Sequence, residues 1–193
     1  VRRLLTSNAT LPHILPEDRK RLLVQRLPLR DSTVETRHLY VTSEISHALD
    51  GDVSGFPWAM ADVLIGRFCA GWSVKVALTS VRNGVFIKRG RDGWPELERL
   101  DEVDEVWVIC VRKPKPGWRI LGRFLRQDCF VGLVLGDAHD LHKPGGAYKK
   151  AAQKVIEEWE NVFGTQVPLK GTEISDYLSG VWKDVNETEF ESR

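Results

Sequence analysis

Residues 105–135 constrain the fold most tightly. The runs "EVWVICVR" (105–112), "GWRILGRFLR" (117–126) and "CFVGLVL" (129–135) are apolar, β-branched and separated only by "KPKPG" and "RQD". Connections this short leave no room for a helical crossover, so consecutive strands must pair antiparallel. The spacing therefore predicts an antiparallel meander as the centre of the molecule.

The flanking segments supply helices. "AYKKAAQKVIEEWENVFG" (147–164) sets Tyr148, Ala151, Ala152, Val155, Ile156, Trp159, Val162 and Phe163 on one face, with Gly164 as the stop. "PWAMADVLIGRFCAGW" (57–72) places Ala61, Leu64, Ile65, Phe68 and Cys69 at helical spacing, with Gly71 as its stop. "PEDRKRLLVQRL" (16–27) predicts a short helix begun by Pro and acids. A brief strand is expected at 38–41, followed by a helical turn capped by Thr42 or Ser43 and ending near Gly51. "WSVKVALTSV" (72–81) alternates as a half-buried strand, and "GVFIKR" (84–89), after Asn83-Gly84, reads as its hairpin partner. Residues 90–105 read as an acidic loop, and 165–183 as loop plus one short helix, "ISDYLSGVW". The expected architecture is α+β: an antiparallel sheet of about five strands flanked by helices. It forms one domain over 1–193, with a loose arm at 1–14, a core at 57–164 and a mobile acidic tail at 184–193.

Charge is balanced overall, 28 Lys+Arg against 27 Asp+Glu, but it is not evenly spread. Residues 111–126 carry six basic side chains and no acid, whereas "ELERLDEVDE" (96–105) carries six acids and one Arg. Affinity for nucleic acid would have to come from this distribution, since there is no net excess. Cys69, Cys110 and Cys129 sit in apolar runs without the spacing of a metal site, as expected of buried free thiols. No apolar stretch is long enough to span a membrane and none reads as a signal peptide, so a cytoplasmic location without membrane contact is expected.

Within the basic hairpin, strand alternation sorts the side chains. Arg119, Leu121, Arg123 and Leu125 point one way; Trp118, Ile120, Gly122 and Phe124 point the other, toward the core. Arg119 and Arg123 stand about 13 Å apart along an extended strand, suited to adjacent phosphates. Arg112, Lys113, Lys115 and Arg126 add charge at the hairpin ends. Edge protection by solvated cations explains the same pattern equally simply. Trp94 and Trp118, beside loops, are placed where a base could stack.

The loop "GDAHDLHKPGGAYKK" (136–150) is the second candidate. Asp137, His139, Asp140 and His142 crowd within six residues, but their spacing fits no metal site, so no metal is assigned. As acid–base equipment the histidines titrate near neutrality, and the helix that follows Gly145-Gly146 offers free N–H groups to an anion. Plain turn chemistry remains the alternative. Walker-type, dinucleotide and GxSxG motifs are absent, so no nucleotide or other cofactor is expected.

The order "VWVICVR", "GWRILGRF", "CFVGLVL", "DLHK", "AYKKAAQKVIEEW" resembles the RelE/HigB-type toxins, in particular their phage-derived Gp49-like branch, over residues 86–163. The resemblance implies a RelE-like core carrying N- and C-terminal additions. It also implies metal-independent cleavage of RNA and an antitoxin-like protein partner. Cleavage through 2′-OH attack needs a cation for the phosphorane and groups that move protons. Under this resemblance the catalytic candidates are Arg119, Arg123, His142 and His139. Arg112, Lys113, Lys115, Arg126, Lys143, Tyr148 and Lys149 would bind nucleic acid. The rival reading is a non-catalytic accessory protein that binds nucleic acid or protein, in which the acidic 96–105 segment or the tail shields the basic hairpin.

Overall fold

The computed structural model describes residues 23–26, 36–78, 81–82, 85–86 and 93–185. The 1–14 arm, the Asn83-Gly84 pair and residues 186–193 of the acidic tail lie outside them.

The meander forms as its short turns require. Strands β7 (Val106–Val111), β8 (Trp118–Arg126) and β9 (Cys129–Asp137) pair antiparallel in sequence. The sheet built on them differs from expectation. It has eight strands, in the order β1-β2-β9-β8-β7-β6-β3-β10, and it is mixed. Here β1 is Leu23–Arg26, β2 His38–Thr42, β3 Val74–Ala77, β6 Leu97–Asp101 and β10 Trp182–Asp184. β2 pairs parallel with β9, β3 with β6, and β10 with β3. This overturns the five-stranded antiparallel sheet, and nothing in the mixed order supports a RelE-like core.

The differences have two causes, strands too short or charged to read as strands and pairs that no tight turn announces. "LVQR" sits within a run of helical spacing, yet it edges the sheet against β2; residues 97–101, inside the acidic segment, pair with β7. The partner of residues 85–86 is 81–82, as the separate two-stranded sheet of β4 (Val81–Arg82) and β5 (Val85–Phe86), and not β3. Parallel and long-range pairs carry no local turn signal, so hydrophobic alternation alone cannot assign partners.

Helices cover both faces. On one lie α1 (Ser43–Leu49), α2 (Trp58–Cys69) and the short α5 (Ile174–Tyr177), packed on Leu39, Val41, Trp107, Ile109, Ile120, Phe124 and Phe130. Thr42 caps α1 by accepting the Ile45 N–H. On the other lie α3 (Ala138–Leu141) and α4 (Ala147–Phe163), packed on Tyr40, Val108, Cys110, Leu121, Leu125 and Val131. The core thus draws on β2, α1 and residues 174–178 as well as on 57–164. All three cysteines are buried and free.

Arg37, only 1% exposed, ties distant segments together. It donates to the carbonyls of Trp72 (3.0 Å), Ser179 (2.8 Å) and Val181 (3.1 Å), and its Nε faces Asp128 at 3.5 Å. Truncation would strip three carbonyls of this donor and leave the Asp128 carboxylate with the Ser179 N–H but no cation. Arg37→Ala is expected to lower the unfolding free energy by about 3–5 kcal/mol. Urea denaturation of the purified variant measures this, and a loss below about 1 kcal/mol would show that water replaces the guanidinium at little cost.

Candidate nucleic-acid interface

Strand direction gathers one set of basic residues at one end of the sheet. β7 finishes there and β8 begins, so the 112–117 turn lies at that end. β9 also finishes there, with Trp118 opposite Asp137 and the Ala138 N–H donating to Gly117 O (2.9 Å). That brings α3, the 142–146 loop and the start of α4 alongside the turn. On the other side the Cys110 N–H donates to Glu96 O (2.8 Å), which brings in the approach to β6. Arg112, Lys113, Lys115, Arg119, His139, His142, Lys143, Tyr148 and Lys149 therefore share this end. Arg123 and Arg126 do not; they belong to the far half of β8.

A groove of about 430 Å³ opens here between α2 and the sheet. Its apolar wall is Met60, Val63 and Leu64 of α2, and Trp94, Arg112 and Lys113 stand on the opposite side. Trp94 is 63% exposed, with the Arg112 guanidinium 5.3 Å from its ring centroid. Arg112 is itself held by donating from Nε to Pro95 O (3.0 Å) and by Glu98 at 3.6 Å. Glu96 pairs with Arg67 at 2.9 Å and accepts from the Lys75 N–H at 3.0 Å. Part of the acidic segment thus does lie against the basic hairpin. It fixes Arg112 in position and leaves Lys113 and Lys115 exposed.

Of the catalytic candidates, Arg119 and Arg123 point together as alternation requires, yet neither is exposed. Each retains only 5% of its surface. The apolar stripe of α4 lies over them, so the face expected to be solvated is a second core. The sequence does carry a signal for this: Leu121 and Leu125 alternate with these arginines, and "CFVGLVL" is apolar on both faces, as a doubly covered strand must be. Arg119 donates to Trp118 O (2.9 Å) and hydrogen-bonds Tyr148. Burial pushes the Tyr148 hydroxyl up, and Arg119 opposes that shift. His142 stands edge-on to Tyr148, with ring centroids 5.2 Å apart, and its Nδ1 meets the Ala138 carbonyl.

The rest of the 136–150 loop is turn chemistry. Asp137 caps α3 by accepting the His139 N–H (2.6 Å). Lys143 bridges to Asp140 (2.6 Å) and holds that carboxyl below the usual range, while His139 is exposed. Among the described residues, no group of three His, Cys, Asp or Glu side chains is placed to hold a metal ion, and no helix is long and apolar enough to cross a membrane. Lys149 lies exposed in the first turn of α4, which starts at a left-handed Gly146 without a side-chain cap. Trp118, the second stacking candidate, is half-buried: its Nε1 donates to Gly55 O (3.2 Å), and its ring meets Phe56 edge-on.

Sequence reasoning misses the groove's α2 wall. Its signal is the apolar character of α2 around the whole helix, which leaves Met60 (49% exposed) and Val63 (50%) facing outward. Compared with family models, with curated proteins and with solved structures, the chain matches none of them.

Arg123 has no hydrogen bond to its buried Nε and lies over the Trp159 ring at 5.8 Å. Burial lowers its pKa, against the opposing charges of Asp104, Glu160, Asp101 and Glu105. An isolated buried cation with so little direct pairing costs stability. Arg123→Met, which keeps the stem and removes the charge, is expected to stabilise the fold by about 1 kcal/mol. A lower urea midpoint in the variant would mean that the acidic field and the Trp159 contact outweigh desolvation.

Proposed function

We propose that this chain is a non-catalytic RNA-binding protein whose basic sheet end takes a single strand. The observation that carries the reading is Trp94. It is a largely exposed indole beside an apolar groove, backed by Arg112 and flanked by Lys113. A base stacks on an aromatic face regardless of its identity, while neighbouring cations follow the backbone. Lys115, Lys143 and Lys149 extend the cationic surface at the same end.

The cleaving alternative has one observation in its favour, the adjacency of Arg119, Tyr148 and His142. Against it, Arg119 is buried beneath α4, and Arg123 lies in the other half of the strand. An antitoxin-like partner belongs to that alternative.

Retention of single-stranded RNA by the purified protein should fall linearly on a log–log plot against salt. Trp94→Ala is expected to weaken binding by about 1–3 kcal/mol. Replacing Lys113 and Lys115 by Ala should lower the slope by about 0.7 for each phosphate left without its lysine. RNA should remain intact with and without EDTA. Cleavage that resists EDTA and disappears in Arg119→Met would establish the ribonuclease instead, and salt-independent retention would remove the electrostatic reading.

A further inference from the structure

At the opposite end of the central strands, beside the β6–β7 turn, a second cleft of about 500 Å³ is lined by Arg99, Glu102, Glu105, Lys170, Gly171 and Thr172. That volume suits a small molecule. Its floor is a buried polar cluster. Glu105, 2% exposed, accepts from Tyr177 Oη (2.6 Å) and Trp107 Nε1 (3.3 Å), and it faces Arg99 Nη1 at 3.5 Å. Arg99, 7% exposed, also donates from Nε to Leu78 O (3.1 Å) and from Nη1 to Gly171 O (2.9 Å). Its other terminal nitrogen makes no hydrogen bond among the described residues; only Glu102 approaches, at 3.9 Å.

Both walls are held rigidly. The Asp101 carboxylate accepts the N–H groups of Val103 (2.8 Å) and Asp104 (3.0 Å), and Glu105 completes that turn at φ 54°. A buried non-glycine residue in the left-handed region is strained and persists only where its surroundings over-determine it, a situation concentrated at ligand sites. On the other wall, Asp176 accepts the N–H groups of Thr172 (2.8 Å) and Glu173 (2.9 Å), and Tyr177 Oη accepts from the Gly171 N–H (2.7 Å). A Cβ on Gly171 would come within 2.5 Å of the Asp176 side chain, so this close approach requires glycine.

The charge pattern selects the ligand. The charge of Glu105 is taken up inside the cluster. That leaves a free donor edge of Arg99 and the exposed Lys170 ammonium, which spends one donor on Val103 O (3.3 Å), as cationic groups, against the Glu102 carboxylate, which is 73% exposed. A simple anion would meet Glu102, and a simple cation would meet Arg99 and Lys170. Only a molecule carrying both charges a short distance apart is complementary. We propose that this cleft binds a small zwitterion, with Arg99 and Lys170 taking its carboxylate and Glu102 its ammonium, and that its ligand is a free α-amino acid. The proposal stands independently of the nucleic-acid reading, because the two sites lie at opposite ends of the sheet.

Isothermal titration of the full chain with each standard amino acid tests it, with acetate, methylamine, N-acetylglycine and glycine methyl ester as single-charge controls. At least one free amino acid is expected to bind in the millimolar range or tighter, and the controls about tenfold or more weaker. Glu102→Gln and Lys170→Met should each weaken binding about tenfold. Both residues are exposed and each gives up only one weak contact, so the thermal midpoint without ligand should move by no more than about a degree or two. Absence of heat with every amino acid overturns the proposal. So does acetate binding as tightly as the amino acid, which would mark a plain anion site, or unchanged binding in both variants, which would place the ligand elsewhere.

Discussion

A single guanidinium ties together the approaches to strands that stand far apart in the sheet. Arg37 precedes β2, and the carbonyls it binds precede β3 and β10, one of them 142 residues along the chain. In the strand order β2 and β3 stand five positions apart, about 24 Å in a flat sheet. One side chain can touch both approaches only if the sheet coils over the α1–α2 face, in the sense that strand twist already favours. An ammonium could not replace it, since the bonds radiate from several nitrogens of one plane. Burial depresses the pKa of Arg37, and Asp128 opposes that shift. The charge is thus kept where loop carbonyls would otherwise be orphaned.

Other buried charges in the molecule differ in how they are satisfied. Arg99 and Glu105 are embedded in hydrogen bonds with Tyr177, Trp107 and Gly171, and the tyrosine hydroxyl is pushed up to about 12 by burial and by Glu105. That cluster fixes where the 101–105 turn meets the 170–177 segment. Arg123 has a ring and distant acids but no close ionic partner among the described residues. A densely bonded network specifies geometry, whereas a lone buried cation mainly subtracts stability. This difference is why the cleft by Arg99 can hold a shape and why Arg123 is a poor candidate for chemistry.

What the sequence makes legible follows from the range of each interaction. The β7–β8–β9 meander, the Thr42 cap and the stripe of α4 depend on residues within a few positions of one another, and all three are present. β1 and β10 pair without a tight turn to announce them, and β6, although joined to β7 by a short turn, is too charged to read as a strand. "LERLD" looks like a loop until Leu97 meets Ile109. Within the candidate site, alternation along β8 puts Arg119 and Arg123 on one face correctly. Exposure does not follow from alternation, because it is decided by what packs on that face. Trp94 is legible as an aromatic beside a loop; the α2 wall opposite it is not, since only tertiary packing brings residues 60–64 to residue 94.

Near-neutral composition need not weaken a basic surface when the acids are spent on placement. Glu96 and Glu98 face Arg67 and Arg112 on neighbouring elements, and each pair orients a guanidinium that would otherwise sample many rotamers. Partly exposed ion pairs of this kind contribute little to stability. Their effect is to hold Arg112 against the Trp94 ring, so that one face of the indole is braced and the groove wall is formed before any ligand arrives. The ordering of both side chains is then borne by folding and is not charged against binding. Lys113 and Lys115 stay exposed on the turn beside them. Arg112, expected as a free cation at the hairpin end, is instead held between Pro95, Glu98 and the Trp94 ring.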